Sequence, residues 1–373
     1  MDKTTAFEIA ELALKDALRR KCNQTFDWEC RTWSDLWLAC YEEIRYHRVS
    51  RRELSDVIGS LRVCDLTANS GELLAASLNR LLEIRSALGV LTDEEGVPID
   101  IGLRCTENGV TVRYVGDTIY DMSMAELPDS RVRRLIFEQM KRDAEHCLFG
   151  CSTDADAVDR CRSRLMSEFE KFEVNADGRL GSGGIRVLTD NIREGNGLIS
   201  RVLPQVGRWP GTDSFTVRHT CWQYQNTAET YKRTMDEVEK QSAKIAAAEA
   251  RRAFAENASP VLSSDTTDAR RKGIEWMVDF PEVLNAGGAF QGFDLIAAEP
   301  DSESGWHMVA DYSRQSHDLS ERKKTRTAIF VTHAKRLLSG DGDKVWIIDD
   351  AVLAGIDTGV AKNPREMKVL GRK

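Results

Sequence analysis

The segment from Val63 to Leu88 constrains the fold more than any other part of the chain. An apolar run leads to Asp65, a short polar turn follows and ends in Gly71, and a leucine-rich helical pattern begins at Leu73. A buried strand, a tight turn and a helix start in this order are typical of doubly wound α/β proteins, whose helix N-termini face a nucleotide-like ligand. The segment therefore predicts an α/β fold with a ligand crevice beside the turn.

Strands alternate with helices along most of the chain. Apolar stripes at helical spacing predict helices over about 5–58, 72–88, 129–146, 156–172 and 325–338. Short apolar runs predict strands over about 61–65, 147–151, 192–197, 274–280, 293–297 and 345–349. This alternation indicates a mainly parallel sheet with helices on both faces. Residues 1–58 then form a helical N-terminal extension, and residues 59–373 form an α/β domain.

Two segments are inserted into this alternation. Residues of about 99–122 alternate apolar and polar side chains around Asn108-Gly109, which predicts a hairpin. Residues 204–226 lack periodicity and predict a surface loop, and the Ala-, Glu- and Lys-rich residues 227–256 predict one long helix. The loop carries three large aromatic side chains that either pack on the sheet or stack on a base or a partner, namely Trp209, Trp222 and Tyr224.

Composition bounds the class of protein. Of the 373 residues 41% are hydrophobic and 30% are charged, and the net charge is −8, which disfavours a protein that grips DNA by itself. No apolar run approaches the roughly 18 residues of a membrane span, and the start at Met1 does not read as a secretory signal. Nine cysteines without a CxxC pair indicate reduced thiols in a cytoplasmic protein, with neither disulfides nor a metal site.

Five segments, taken in order, resemble one family of enzymes. They are residues 63–99, 145–165, 193–200, 275–296 and 329–348. Together they resemble the core of type IIG restriction–modification enzymes, which are adenine-specific (N6) DNA methyltransferases that use S-adenosylmethionine. The resemblance implies a Rossmann-like methyltransferase fold for the α/β domain, with S-adenosylmethionine as the cofactor and adenine in DNA as the substrate.

The first family motif reads Asp-Pro-x-x-Gly-Ser-Gly-x-Phe, and this chain keeps only part of it. Asp65, Ser70 and Gly71 match, whereas Asn69 stands where the family has its first glycine. That glycine lets the backbone approach the cofactor closely, and an asparagine side chain would project into the cofactor's space. Asp65, Ser70 and Gly71 therefore either retain cofactor binding or preserve a turn that the fold needs.

Two further positions bear on the cofactor. The acidic residue that grips the ribose hydroxyls in the family falls on Ser152, and Asp154 is a displaced substitute. Asn196 follows the third strand, where the resemblance places a contact near the adenine moiety of the cofactor. An asparagine directly after a strand is equally typical of a turn, so both interpretations of Asn196 stay open.

The catalytic loop differs most from the family, which reads Asn-Pro-Pro-Tyr. The family's polar residue accepts hydrogen bonds from the adenine amino group, and its aromatic ring stacks on a flipped base. The corresponding residues here are Glu299, Pro300, Asp301 and Ser302, of which only Pro300 matches. Losing base–aromatic stacking alone removes roughly 1–3 kcal/mol. The two carboxylates either form a new catalytic pair or belong to a solvated loop, and the loop is the favoured interpretation.

These joint departures predict a methyltransferase-like pseudoenzyme without bound S-adenosylmethionine. It would act as a non-catalytic subunit or scaffold of a restriction–modification or phage-defence assembly, with protein partners and with DNA reached through the complex. Two alternatives stay open. One is an active, divergent DNA adenine methyltransferase that uses Glu299 in catalysis and Asp154 on the ribose. The other is a non-catalytic DNA-binding module that grips the backbone with Arg270, Arg271 and Lys272.

Overall fold

The computed structural model describes fifteen stretches of the chain, and the chain clusters into two compact units. The described residues are 3–92, 97–99, 101–106, 109–115, 118–123, 130–171, 191–200, 214–234, 237–258, 273–285, 288–298, 334, 336–338, 345–347 and 367–369. The first unit comprises Met1–Val63, Ala68–Phe149 and Asp156–Ile192. The second unit comprises Cys64–Thr67, Gly150–Ala155 and Arg193–Lys373.

Helices dominate the first unit. They are α1 (Lys3–Phe26), α2 (Trp33–Arg45), α3 (Arg51–Gly59), α4 (Glu72–Ala87), α5 (Ser130–Cys147) and α6 (Ala155–Glu170). Thr32 and Ser50 each close a capping box with the carboxylate three residues on, which fixes where α2 and α3 begin. The helices predicted for this part of the chain are therefore confirmed, with residues 5–58 divided into three.

α4 lies at the centre of the first unit. Its leucines at positions 73, 74, 78, 81 and 82 are buried, and the helix contacts α1, α5 and the strand at 101–106. Gly89 adopts a φ of 66° directly after the helix, in the left-handed conformation with which glycine commonly ends helices. The hydrophobic stripe and the glycine stop thus place α4 as predicted.

The predicted hairpin is confirmed and extended by one strand. β2 (Ile101–Thr106), β3 (Gly109–Val115) and β4 (Thr118–Ser123) form an antiparallel sheet in the order β2-β3-β4. Thr106 pairs with Gly109, so the two-residue connection is 107–108, one position earlier than the Asn108-Gly109 pair that the sequence signal indicates.

Six strands form a second sheet. Its strands are β1 (Val63–Asp65), β5 (Leu148–Ser152), β6 (Ile192–Glu194), β7 (Leu295–Ala298), β8 (Val345–Ile347) and β9 (Met367–Val369). They are arranged β6-β5-β1-β7-β8-β9, and the pairs β7–β8 and β8–β9 are parallel. β5 and β6 lie on one side of β1, and the later strands β7, β8 and β9 lie on the other side. This is the strand order of doubly wound sheets. The α/β class is confirmed.

Two helices replace the predicted loop and long helix. α7 (Phe215–Arg233) includes residues 215–226, so the loop predicted for 204–226 is wrong there, and residues 204–213 lie outside the described residues. Thr234, in an extended conformation, separates α7 from α8 (Glu237–Ala258), so one long helix over 227–256 is also wrong. Thr, Val and aromatic residues have low helix propensity, and α7 forms because its buried stripe packs on α8.

The strand predicted for residues 274–280 is also wrong. This segment forms the short helix α9 (Trp276–Asp279), followed by a 3₁₀ turn at Pro281–Val283. Asp279 explains the change, because its Oδ2 accepts a hydrogen bond from the backbone N–H of Glu275 at 2.8 Å and its own N–H closes a helical turn on the Glu275 carbonyl. Local side-chain hydrogen bonds of this kind compete with strand pairing.

All nine cysteines are buried and free. In the part of the chain that the structure describes, no helix is long and apolar enough to cross a membrane.

Candidate functional site

The carboxylate of Asp65 is engaged by its own backbone at the end of β1. Its side chain is 4% exposed, and Oδ1 accepts a hydrogen bond from the N–H of Thr67 at 2.9 Å. The Thr67 hydroxyl approaches the same oxygen at 3.3 Å. An aspartate that bonds the backbone two residues on closes an Asx turn. Asp65 therefore shapes the chain as it leaves the sheet.

Gly71 occupies the position of the turn at which only glycine fits. Its φ is 73°, and a Cβ atom placed on it would lie 2.8 Å from the Cα and 3.1 Å from the Sγ of Cys161 on α6. Asn69 is half-buried and is not among the described residues with positive φ. Ser70 is exposed. The turn thus demands glycine at position 71, and it accommodates the asparagine two residues earlier.

The position that the resemblance assigns to the ribose carboxylate is a buried serine. Ser152 is 5% exposed at the end of β5, and its Oγ accepts a hydrogen bond from the N–H of Asp154 at 3.3 Å. Its carbonyl oxygen accepts a second bond from Gly195 at 2.8 Å. The Asp154 side chain is exposed. Dinucleotide-binding folds place an acidic residue on the ribose 2′-OH, and here the corresponding position holds a buried hydroxyl that accepts from the Asp154 backbone.

Asn196 closes a turn after β6. It is 7% exposed, and its Oδ1 accepts a hydrogen bond from the N–H of Leu198 at 3.0 Å. Its backbone carbonyl accepts from Ile274 at 3.1 Å, beside a parallel bridge to Gly273. The residue therefore closes the turn that was one of its two interpretations from the sequence, and its carbonyl also ties the end of β6 to the segment that leads into α9.

Trp276 packs where β1, β5 and β6 end. It is 1% exposed, and its indole N–H donates to the carbonyl of Gly197 at 3.0 Å. A Cβ atom on Gly197 would lie 2.6 Å from the Sγ of Cys151 and 3.1 Å from both Leu66 and the Trp276 ring. Glycine at 197 is therefore required by packing. Gly197 and Trp276 are 79 residues apart along the chain, so the sequence does not indicate this contact.

A set of matched charges surrounds α9. Asp279 forms ion pairs with Arg251 on α8 and with Arg193, whose guanidinium lies 3.7 Å away. Glu275, 9% exposed, accepts a hydrogen bond from the Ser200 hydroxyl at 3.0 Å. These contacts fix α9 against α8 and against the chain that follows β6. Each carboxylate is already paired within the second unit, as buried charges require.

Two of the predicted site residues, Asp65 and Asn196, lie with Ser152 at one edge of the six-stranded sheet. Asp65, Ser152 and Asn196 stand at or just beyond the ends of β1, β5 and β6, which are neighbours in the strand order. The Cys151 thiol reaches the Leu66 carbonyl at 3.6 Å, which shows that the ends of β1 and β5 are adjacent. Ser70 and Gly71 belong to the first unit.

The catalytic segment expected after β7 is not described. Glu299, Pro300, Asp301 and Ser302 lie outside the described residues, as do Arg270, Arg271 and Lys272. Among the residues that the structure does describe, no three His, Cys, Asp or Glu side chains are grouped to hold a metal ion.

No known protein family matches the chain, and neither a curated protein nor a solved structure is significantly similar to it.

Proposed function

We propose that the chain is a methyltransferase-like protein that does not transfer methyl groups. In this proposal the sheet and its flanking helices form a Rossmann-like fold, with helices on both faces of the sheet. The protein serves as a non-catalytic subunit or scaffold of a restriction–modification or phage-defence assembly, and it meets DNA through its protein partners. The strand order β6-β5-β1-β7-β8-β9, with the first strand at the centre, supports the Rossmann-like part.

One observation carries the loss of catalysis. The end of β5 presents a buried serine hydroxyl, which the backbone of Asp154 already engages, where a cofactor ribose requires a carboxylate. The other family residues have local structural partners as well. The Asp65 carboxylate and the Asn196 amide close turns, and Gly71 packs on Cys161. The retention of these residues therefore supports a structural role for them, without cofactor binding.

Titration calorimetry with S-adenosylmethionine tests the proposal. We expect no binding heat at about 1 mM ligand, which corresponds to a binding free energy weaker than about −4 kcal/mol. We also expect no transfer of labelled methyl groups to adenine in DNA. Micromolar binding together with methylation would overturn the proposal in favour of the divergent enzyme.

A double variant provides the matched control. Asn69→Gly with Ser152→Asp restores the family residue at two described positions that the resemblance places beside the cofactor. Binding of S-adenosylmethionine by this variant, and not by the wild-type protein, would assign the loss to these two positions. Thermal melting of both proteins shows that the comparison is made between folded molecules.

A further inference from the structure

Three aromatic rings form a ladder on the exposed face of α7. Phe215, His219 and Trp222 stand at positions i, i+4 and i+7, which share one face of a helix. The rings of Phe215 and His219 are 5.9 Å apart at 7°, and those of His219 and Trp222 are 6.1 Å apart at 23°. Phe215 is 75% exposed and Trp222 is 52% exposed. We call these three residues the aromatic ladder.

The aromatic ladder is separate from the packing of the second unit. The opposite face of α7 buries Val217, Cys221 and Tyr224, and the Tyr224 ring lies 6.1 Å from the ring of Phe254 on α8. Tyr224, which the sequence grouped with Trp222, is therefore a core residue. Because α7 is already anchored by that stripe, the near-parallel alignment of the exposed rings serves no packing contact among the described residues.

The charge around the aromatic ladder suits a polyanion. The fifteen residues 214–228 contain one charged side chain, Arg218, and no carboxylate, in a chain with 60 Asp and Glu. The exposed pair Trp37 and Tyr41 on α2, also stacked at 5.7 Å, has Asp35 and Glu42 as exposed neighbours on its helix. The lack of negative charge is thus a property of α7 from Phe215 to Ala228, and the exposed Trp37–Tyr41 pair does not share it.

The remaining exposed side chains on α7 distinguish between two kinds of partner. Arg218, Gln223 and Asn226 are exposed beside the rings, and no exposed aliphatic side chain lies between positions 215 and 226. Aromatic rings and arginine are also common in protein–protein interfaces, but the cores of such interfaces are mostly apolar, so the amides of Gln223 and Asn226 would need dedicated hydrogen-bond partners there. Unpaired bases stack on aromatic rings, and their edges and phosphates accept hydrogen bonds from amides and guanidinium groups.

We infer that the aromatic ladder of α7 binds single-stranded nucleic acid. Bases stack on the exposed rings of Phe215 and Trp222, and Arg218 contacts the phosphate backbone. The inference goes beyond the proposed function, in which the protein reaches duplex DNA through its partners, because here a single strand binds the chain directly. It is independent of the proposed loss of methyl transfer, since none of these residues belongs to the cofactor motifs.

Fluorescence anisotropy with a labelled oligothymidylate of about 20 nucleotides tests the inference at low salt. We expect wild-type protein to bind the oligonucleotide and Trp222→Ala to weaken binding about tenfold or more, because one stacking surface is lost. Trp222→Phe keeps a ring and should bind within about threefold of wild type. Circular dichroism establishes that each variant is folded. We expect the Trp222 variants to fold, because the Trp222 side chain is exposed.

Tyr41→Ala is the matched control, because Tyr41 is 51% exposed and also stacks on an aromatic neighbour. We expect this variant to bind like wild type, and a duplex of the same length to bind more weakly than the single strand. An equal-length oligouridylate extends the test to RNA, and binding of either strand supports the inference. Failure of wild type to bind both strands would overturn it. So would unchanged binding by Trp222→Ala, an equal loss in Tyr41→Ala, or equal affinity for duplex.

Discussion

Gly71 shows how strongly one residue can be constrained by its surroundings. Its backbone is left-handed, and the space that a side chain would need is filled by Cys161. Gly89 has a similar φ of 66°, yet a Cβ atom there would meet nothing within 4 Å. The two positions share the conformational requirement and differ only in the steric one. They therefore separate the contributions of backbone strain and close packing in the first unit.

Alanine substitutions at these two glycines should differ in cost. Gly89→Ala should lower the free energy of unfolding by about 1 kcal/mol, because a left-handed alanine is strained. Gly71→Ala should lose about 2–4 kcal/mol, since overpacking against Cys161 adds to the same strain. Urea denaturation of both variants measures the difference. Equal losses would show that α4 and α6 can separate at no cost, contrary to the packing described.

The sequence could identify Gly71 but not the reason that it is needed. The motif marks a glycine before a helix, whereas the clash with Cys161 depends on how α6 packs, which is 90 residues away along the chain. Trp222 and Tyr224 illustrate the same limit. Two residues apart in a supposed loop they look equivalent, and only the phase of α7 separates an exposed ring from a buried one.

A charged cluster ties α4 to α6 at the level of whole helices. The carboxylate of Glu168, 1% exposed, accepts hydrogen bonds from Asn79 on α4 at 2.9 Å, from Lys171 at 2.6 Å and from Arg164. Arg164 also reaches Glu72 on α4 at 2.9 Å. Burial by itself raises the pKa of Glu168, but the three hydrogen bonds outweigh it and hold the pKa below the usual value.

The lowered pKa makes this tie dependent on pH. A depressed carboxyl pKa in the folded state contributes stability above the unfolded value of 4.5, and that stability is lost as the pH falls through the folded value. Glu168→Gln should lower the free energy of unfolding by about 2 kcal/mol at pH 7. The difference from wild type should shrink as the pH falls below about 4.5.

Denaturant melts across this pH range measure the effect. Glu170→Gln changes an exposed carboxylate on the same helix and should follow the wild-type curve. A constant difference between Glu168→Gln and wild type at all pH values would contradict the assignment of the pH dependence to Glu168.

Helices with one regular apolar stripe were predictable from the sequence. Elements whose conformation depends on contacts with other parts of the fold were not. α4 and α6 follow from their stripes, and β5 from a short apolar run. α7 begins after a stretch that contains Pro and Gly, and it is rich in Thr and aromatic residues, which have low helix propensity. The sequence therefore indicates a loop where the structure has a helix. α9 is a single turn whose apolar residues look like a strand until Asp279 closes on Glu275.

Both units of the molecule bury all of their cysteines. Cys22, Cys30, Cys40, Cys105, Cys147 and Cys161 belong to the first unit, and Cys64, Cys151 and Cys221 belong to the second. Burial raises the pKa of Cys40 and of Cys221 to about 12. Because the thiolate is the reactive form, a thiol that is both buried and protonated reacts slowly. The cysteines therefore report on the integrity of each unit.

A thiol reagent should distinguish the folded from the unfolded molecule. At about pH 8 we expect slow reaction of the native protein with a disulfide reagent and rapid reaction of nine thiols in denaturant. Mass spectrometry of protein labelled at rising urea concentrations assigns each reacting cysteine to its unit. Rapid labelling of several cysteines in the native protein would contradict their burial.

The α/β class and the edge of the sheet that gathers Asp65, Ser152 and Asn196 were predictable at the scale of the molecule. Alternating strands and helices give the class, and the ends of neighbouring strands in a doubly wound order gather the residues that follow them. What these residues do there was not predictable, because the hydrogen bonds to Thr67, Asp154 and Leu198 depend on loop geometry that spacing alone does not encode.

The two units are interleaved along the chain, which crosses from one to the other five times, after Val63, Thr67, Phe149, Ala155 and Ile192. The short pieces Cys64–Thr67 and Gly150–Ala155 supply the ends of β1 and β5 to the second unit. No single cut can release either unit intact. During synthesis on the ribosome, the first unit has all of its residues only once Ile192 has been added. The second unit is completed later, because it includes Arg193–Lys373.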